Sequence, residues 1–203
     1  EEQLAESPKQ TFSSYDLGDI RYTDLSDAGA ANTIDREDRT VIGNQIPRFV
    51  YGLNISAQWR NFDLSVLIQG VGKKDVIYTG DVVWALYNAG KMQTWQTDYW
   101  SKENPDASYP RPIAASSHNN FQNSSFWVYD AAYLRLKNLQ VGYTLPARLT
   151  RKIWIDKLRV YFTGDNLLTW DKMPKGWDPE TPSGDAEIYP IAQTFVFGIQ
   201  LTF

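Results

Sequence analysis

The sequence predicts an all-β chain of long antiparallel strands, each with one apolar and one polar face, and two observations carry that reading. Phe49, Tyr51, Leu53, Ile55, Ala57 and Trp59 alternate with Arg48, Asn54, Ser56, Gln58 and Arg60, with only Val50 and Gly52 off the pattern. Period-two alternation places the two sets on opposite faces of one strand. The run then turns at Arg60-Asn61 and repeats as Phe62, Leu64, Val66 and Ile68 against Asp63, Ser65 and Gln69. A two-residue hairpin pairs 59 with 62, 57 with 64, 55 with 66 and 53 with 68, and every pair is apolar on both sides. Such two-faced strands suit a barrel whose outside meets lipid and whose inside meets water.

The other elements follow along the chain. Residues 1–47 are polar and turn-rich, with acids at Asp16, Asp19, Asp24, Asp27, Asp35, Glu37 and Asp38, and read as loop with a short strand at Asp19–Thr23. After the hairpin strands at 48–60 and 62–71, residues 72–130 form a long insertion. Within it, 81–87 and 92–100 read as short helices and 104–112 as a Pro-punctuated loop. A third strand runs from Tyr133 to Leu145, where Leu139, Val141, Tyr143 and Leu145 alternate with polar residues. Leu134 and Leu136 upstream are out of phase with that set, and a bulge near Lys137 accounts for the slip. The alternative is that the strand rises above the lipid there, where no phase is enforced. A fourth strand from Lys157 to Asn166 carries Leu158, Val160 and Phe162 on one face. Residues 171–190 are a Pro- and Gly-rich loop. A fifth strand, Ile191–Phe203, carries Ile191, Phe195, Phe197, Ile199, Leu201 and Phe203 on one face, broken only by Gln193.

Composition narrows the class. The chain has 203 residues, 42% of them hydrophobic, yet no apolar run long enough for a membrane-spanning helix. A net charge of −4 leaves no basic stripe for nucleic acid. The absence of Cys excludes disulfides and thiolate chemistry. Aromatics are abundant, with 8 Trp, 12 Tyr and 9 Phe, which suits interfacial anchoring and sugar or peptide contact.

Connections alternate short (60–62, 146–156) and long (72–130, 171–190), as in outer-membrane barrels with short periplasmic turns and long extracellular loops. That pattern starts the chain outside, crosses five times and ends in the periplasm. Trp59, Phe62, Tyr143, Trp154 and Phe203 then form an aromatic girdle at the periplasmic interface. Five strands cannot close a barrel, and open edges in hydrocarbon are not tolerated. The strands at 48–60 and 191–203 are therefore expected to pair with strands outside this chain, which reads as a fragment.

Several segments, in order, resemble the SusC/RagA family of TonB-dependent outer-membrane transporters. They are 38–43 (DRTVIG), 124–130 (SSFWVYD), 133–146 (YLRLKNLQVGYTLP), 158–170 (LRVYFTGDNLLTW), 175–180 (KGWDPE) and the ending from Tyr189-Pro190 to Phe203. The resemblance runs from Gly18 onward and corresponds to the C-terminal end of the family. It implies that residues 48–203 are the last five strands of a 22-stranded barrel, with 1–47 an extracellular loop segment and the plug and remaining strands upstream. It also implies TonB-dependent import of an oligosaccharide or peptide across the outer membrane, a SusD-like lipoprotein partner, and contact with TonB through the upstream part. Phe195, Phe197, Ile199, Leu201 and Phe203 would then form the assembly signal read by the barrel-assembly machinery.

The family often carries a calcium-loop-like D-x-[DN]-x-D-G run before I-D-x-x-D-R. Here Asp24-Leu-Ser-Asp-Ala-Gly29 has Ala28 at a ligand position and extra residues before Ile34, so the segment reads as an acidic, solvated loop, with a metal site in 24–38 as the alternative. No catalytic or cofactor-binding residue is expected. His118, the only histidine, sits in a polar loop and reads as exposed. The acid pairs Asp178/Glu180 and Glu103/Asp106 read as solvated charge rather than glycosidase carboxylates. No phosphate loop, HExxH or G-x-S-x-G is present. Trp84, Trp95, Tyr99, Trp100, Tyr109 and Trp127 are candidates for ligand or lid contact, with a small loop core as the equally weighted alternative. Asn54, Gln58, Asp63, Gln69 and Tyr161 are candidates for facing the lumen. The rival reading of the whole chain is a soluble β-sandwich carbohydrate-binding module, in which the apolar face of 49–59 packs against a second sheet.

Overall fold

The structure is a computed structural model that describes residues 2–185, 187–189 and 191–203; Glu1, and Ala186 and Pro190 in the predicted 171–190 loop, lie outside the described residues. Among the described residues nine strands occur in chain order: β1 Lys9–Gln10, β2 Thr33–Ile34, β3 Phe49–Trp59, β4 Phe62–Gly72, β5 Asp75–Ile77, β6 Val128–Asp130, β7 Tyr133–Thr144, β8 Lys157–Asp171 and β9 Thr194–Thr202. The five long strands form one antiparallel sheet in the sequential order β3-β4-β7-β8-β9. The sheet is open at β3 and β9.

The hairpin register is the one the alternation requires. Trp59 pairs with Phe62, Ala57 with Leu64, Ile55 with Val66 and Leu53 with Ile68. Arg60 takes the left-handed conformation, φ 53°, that a two-residue reversal between twisted strands demands.

Lys137 is the bulge. Leu67 faces Asn138 and Ile68 faces Leu136, so Lys137 has no partner in β4. On the other side Leu136 faces Leu168 and Asn138 faces Asp165, leaving Asn166 and Leu167 opposite Lys137. The extra residue flips the phase of β7, so Leu134 and Leu136 rejoin the apolar face of Leu139, Val141 and Tyr143. The same irregularity lets β8 run on to Asp171, past the predicted end at Asn166, whose own φ is 53°. β9 begins at Thr194 instead of Ile191. The two residues before it are tied down by side chains, as Gln193 donates to the Leu167 carbonyl and Asn166 to that of Ala192.

The chain divides into two compact units. One comprises 46–75, 130–180 and 189–203 and holds the sheet. The other comprises 1–45, 76–129 and 181–188 and is built mainly from loops and turns, with short strands and short helices among them.

Within the loop unit two expectations fail. Asp19–Thr23 is not a strand, because side chains take its backbone groups: the Ile20 N–H donates to Asn120 Oδ1 (2.9 Å) and Asn119 Nδ2 donates to the Ile20 carbonyl (2.7 Å). The predicted helices 81–87 and 92–100 are turns, with 3-10 helices only at Tyr87–Ala89 and Thr94–Gln96. Leu86, Asn88 and Ala89 all have positive φ, which stops helix propagation. Beyond Gln96 the chain turns extended, and the Trp100 N–H donates to the Tyr109 carbonyl.

Candidate functional site

The sheet sorts its side chains into two continuous surfaces. Register carries one row through Ile55, Val66, Leu139, Gly164 and Phe195, the next through Ala57, Leu64, Val141, Phe162 and Phe197, and a third through Trp59, Phe62, Tyr143, Val160 and Ile199. The large side chains of these rows are exposed or half-exposed, with Trp59 at 66% and Phe197 at 81% of full accessibility. The rings pack along the surface: Phe62 and Tyr143 centroids are 4.6 Å apart, and Phe162 and Phe197 5.1 Å. An apolar face spanning five strands exceeds what a water-soluble monomer leaves open.

The opposite surface is polar. Its rows run Asn54–Leu67–Asn138–Asp165–Thr194, Ser56–Ser65–Gln140–Thr163–Val196 and Gln58–Asp63–Gly142–Tyr161–Gly198. Asn138 donates to Asp165 (2.7 Å) and Gln140 to Thr163 (3.0 Å). Arg159 of β8 reaches over β7 to Asp63 of β4 in a two-pronged ion pair, Nε to Oδ1 at 2.9 Å. It can do so because the residue beneath is Gly142, where a Cβ would fall 2.4 Å from Asp63 Oδ1. Likewise the Tyr161 ring lies over Gly198. Of the residues expected to face the lumen, Asn54, Gln58, Asp63, Gln69 and Tyr161 all share this polar face. Phe195, Phe197, Ile199 and Leu201 share the apolar one.

At the end of the polar face away from the hairpin turn lies a charge cluster that sequence reasoning missed. Arg135, 2% exposed, donates to Thr169 Oγ1 (2.9 Å) and pairs with Asp178 (2.8 Å) and Glu180 (3.1 Å). Lys137 pairs with Glu180 at 2.7 Å, and Lys74 Nζ donates to the Pro179 carbonyl. Asp178 and Glu180 are thus not solvated charge. Sequence held one signal for this, the charged Arg135 and Lys137 inside an apolar strand.

The loop unit has an ordinary buried centre. Trp127 is 2% exposed with its indole N–H donating to the Asn120 carbonyl (2.9 Å). Trp84, 8% exposed, stacks on Phe121 at 5.4 Å. Trp95 meets Tyr109 edge-on at 5.2 Å, the Trp100 ring lies over Gly18, and Tyr99 is exposed. A small cleft is lined by Tyr99, Tyr109, Arg111 and Phe121 among others.

Beside it Asp19 is held by Arg111 (2.7 and 2.8 Å) and Asn120 (3.0 Å). His118 is not exposed as expected: its side chain is only 14% accessible, 3.8 Å from Asp19. Burial holds the imidazole below its ordinary value, with Asp19 opposing and Arg111 adding to the shift. Burial likewise pushes the Tyr22 hydroxyl up to about 12.

In the acidic 24–38 loop, Asp38 accepts from the backbone N–H groups of Leu25, Ser26 and Asp35, which holds its carboxyl below the usual range. Those bonds use the carboxylate to organise the loop. Among the described residues no group of three or more His, Cys, Asp or Glu converges as a metal site.

Comparison with known proteins agrees with this architecture. No family model matches the chain. It is 32% identical over 93% of its length to TonB-dependent receptor P3 of Formosa agariphila, of which that match covers 19%. It is 27% identical over 87% of its length to TonB-dependent receptor SusC of Bacteroides thetaiotaomicron, covering 17% of that protein. Among solved structures, the RagAB peptide transporter superposes with a TM-score of 0.62 at 28% identity, covering 80% of this chain and 17% of the other. In its open-open state the RagAB peptide importer covers 95% of this chain and 20% of the other, at a TM-score of 0.62 and 26% identity. Over most of its length the chain is thus similar in sequence and fold to TonB-dependent receptors of the SusC/RagA type. It spans about a fifth of the length of the relatives it matches.

Proposed function

We propose that this chain is a section of the barrel wall of an outer-membrane importer, the C-terminal five strands of a 22-stranded barrel whose plug and remaining strands lie upstream. In this reading the apolar rows touch lipid and the polar rows line the water-filled interior. The open edges at β3 and β9 continue into neighbouring strands, since unpaired backbone groups in hydrocarbon are costly. The imported cargo is an oligosaccharide or a peptide, taken up with a SusD-like surface lipoprotein and energised through TonB. Residues 1–47 and the long insertion stand on the extracellular side, where Trp95, Tyr99, Trp100 and Tyr109 are candidates for cargo or lid contact. The wall itself carries no chemistry.

One observation carries the reading: the apolar face is continuous in register over all five strands, and its large side chains are exposed or half-exposed. A β-sandwich module would bury Phe49, Leu53, Ile55 and Trp59 against a second sheet, and all four are exposed.

The test uses the full-length receptor in cells of a Gram-negative host. Wild-type receptor is expected in the outer-membrane fraction with TonB-dependent uptake of labelled peptides or oligosaccharides. Leu53→Arg should deplete it from that fraction and Ser56→Arg should not. Recovery of the receptor as a soluble protein would overturn the proposal.

A further inference from the structure

The polar face poses a puzzle at one end. Between the hairpin turn and the bulge its side chains are partly or fully exposed, as a water-lined wall requires. Past the bulge the same face carries Val71, Tyr133 and Arg135, and all three are buried. Register shows that they belong to this face, since Val71 pairs with Tyr133 and Gln69 with Arg135. A guanidinium this buried is tolerated only when its charge is matched.

The match comes from one short segment. Asp178 and Glu180 both pair with Arg135, Glu180 also takes Lys137, and Lys74 holds the carbonyl between them. The Tyr133 hydroxyl hydrogen-bonds the Glu180 carboxylate, and the Tyr133 ring lies 5.4 Å from the guanidinium carbon of Arg135. Pro179 is fully buried. At the root of the same loop, Lys172 pairs with Asp130 at 2.8 Å. The bulge contributes as well, because it sets both Arg135 and the bulged Lys137 within reach of Glu180.

We propose that residues 172–180 form a strap, locked by the Arg135–Asp178–Glu180–Lys137 cluster across the inner face of the barrel wall at its outer end. The inference rests on the importer reading for which face is inner and which end is outer. It adds that the loop between β8 and β9 does not leave the barrel directly: it first folds back over the wall. Cargo at this level meets the strap, and strand residues Val71, Tyr133 and Arg135 are withheld from it. Arg135 is a positioning residue that fixes the strap.

The test is a proximity measurement on the full-length receptor in detergent micelles, with Lys137→Cys and Glu180→Cys introduced together. Arg135 and Asp178 remain to hold the strap, so a short bis-thiol reagent should join the two cysteines in high yield. Protease cleavage between them should then leave the pieces linked. Adding Arg135→Gln should lower the yield by about tenfold or more, because Asp178, the one carboxylate left in this background, loses its partner. The charge-swapped pair Arg135→Asp with Asp178→Arg should recover part of it. Heat-modifiable mobility on a gel reports whether each variant still forms a barrel, and Ile55→Cys reports independently on the lipid face. A folded barrel with no crosslink, or a yield that Arg135→Gln leaves unchanged, would overturn the strap. Water-like reactivity at Ile55→Cys would instead remove the importer reading beneath it.

Discussion

The two units treat the same residue type in opposite ways. In the sheet unit, Trp59 and Phe197 stand on an open face, while in the loop unit Trp127 and Trp84 are enclosed. Aromatic content alone therefore says nothing about burial. The loop unit is arranged as a protein in water, with rings inside and with Asp19, Arg111, Asn119 and Asn120 sewing its segments together. On the importer reading the sheet unit meets hydrocarbon on one side, and its rings lie where a soluble protein would place charge.

Substitutions break this contrast in order of size. Trp127→Ala should cost about 3–5 kcal/mol in the loop unit, since it empties a buried aromatic site and frees the Asn120 carbonyl. Hydrogen exchange in the full-length receptor should show the amides of 76–129 opening while those of β4, β7 and β8 stay protected. Equal loss in both would join what the contrast separates. Leu53→Arg on the apolar face should cost about 2–4 kcal/mol near the bilayer midplane, and Ser56→Arg on the polar face far less. Denaturant titration of the receptor in lipid checks this, and equal penalties would undo the assignment of faces.

Gly142→Ala should cost about 1–3 kcal/mol, because its methyl meets the Asp63–Arg159 pair that crosses above it. A smaller loss for the same change made in an Asp63→Ser background would tie the cost to that pair.

The smallest effect is a pH dependence confined to the loop unit. The folded state holds His118 below its ordinary value of 6.5, so it favours the neutral imidazole. That contribution is fully present above about pH 6.5 and is lost as pH falls through the lower folded value. Asp19 and Arg111 both face the ring, one favouring and one opposing its protonation. Protection of the 111–121 amides should decline below pH 6.5 in the wild type and more shallowly in His118→Asn. An unchanged slope would show that His118 does not set it.

What was legible in the sequence follows from the same contrast. Period two holds wherever the two faces of a strand meet different surroundings, so the hairpin register and the faces of the five strands could be read directly. The slip near Lys137 could be placed but not assigned between a bulge and a strand rising above the lipid. Where enforcement lapses the reading lapses: β8 continued past Asn166 because the irregularity opposite Lys137 absorbs Leu167, and β9 starts three residues late. In the loop unit the backbone is satisfied by side chains distant in sequence, such as Asn119 and Asn120 for Ile20, and no periodicity announces them. Arg135 was visible as a charge in an apolar strand. Its partners Asp178 and Glu180 are more than forty residues away, and only the fold brings them to it.

Spin-label accessibility along β3 of the full-length receptor in bilayers bears most directly on the central claim. Labels at 53, 55 and 57 should collide preferentially with oxygen, which partitions into lipid, and labels at 54, 56 and 58 with a water-soluble nickel chelate. Alternation with a period of two residues is the predicted result. Labels shielded from both quenchers at 53, 55 and 57 would mean a dry interior behind the apolar face and would contradict the account.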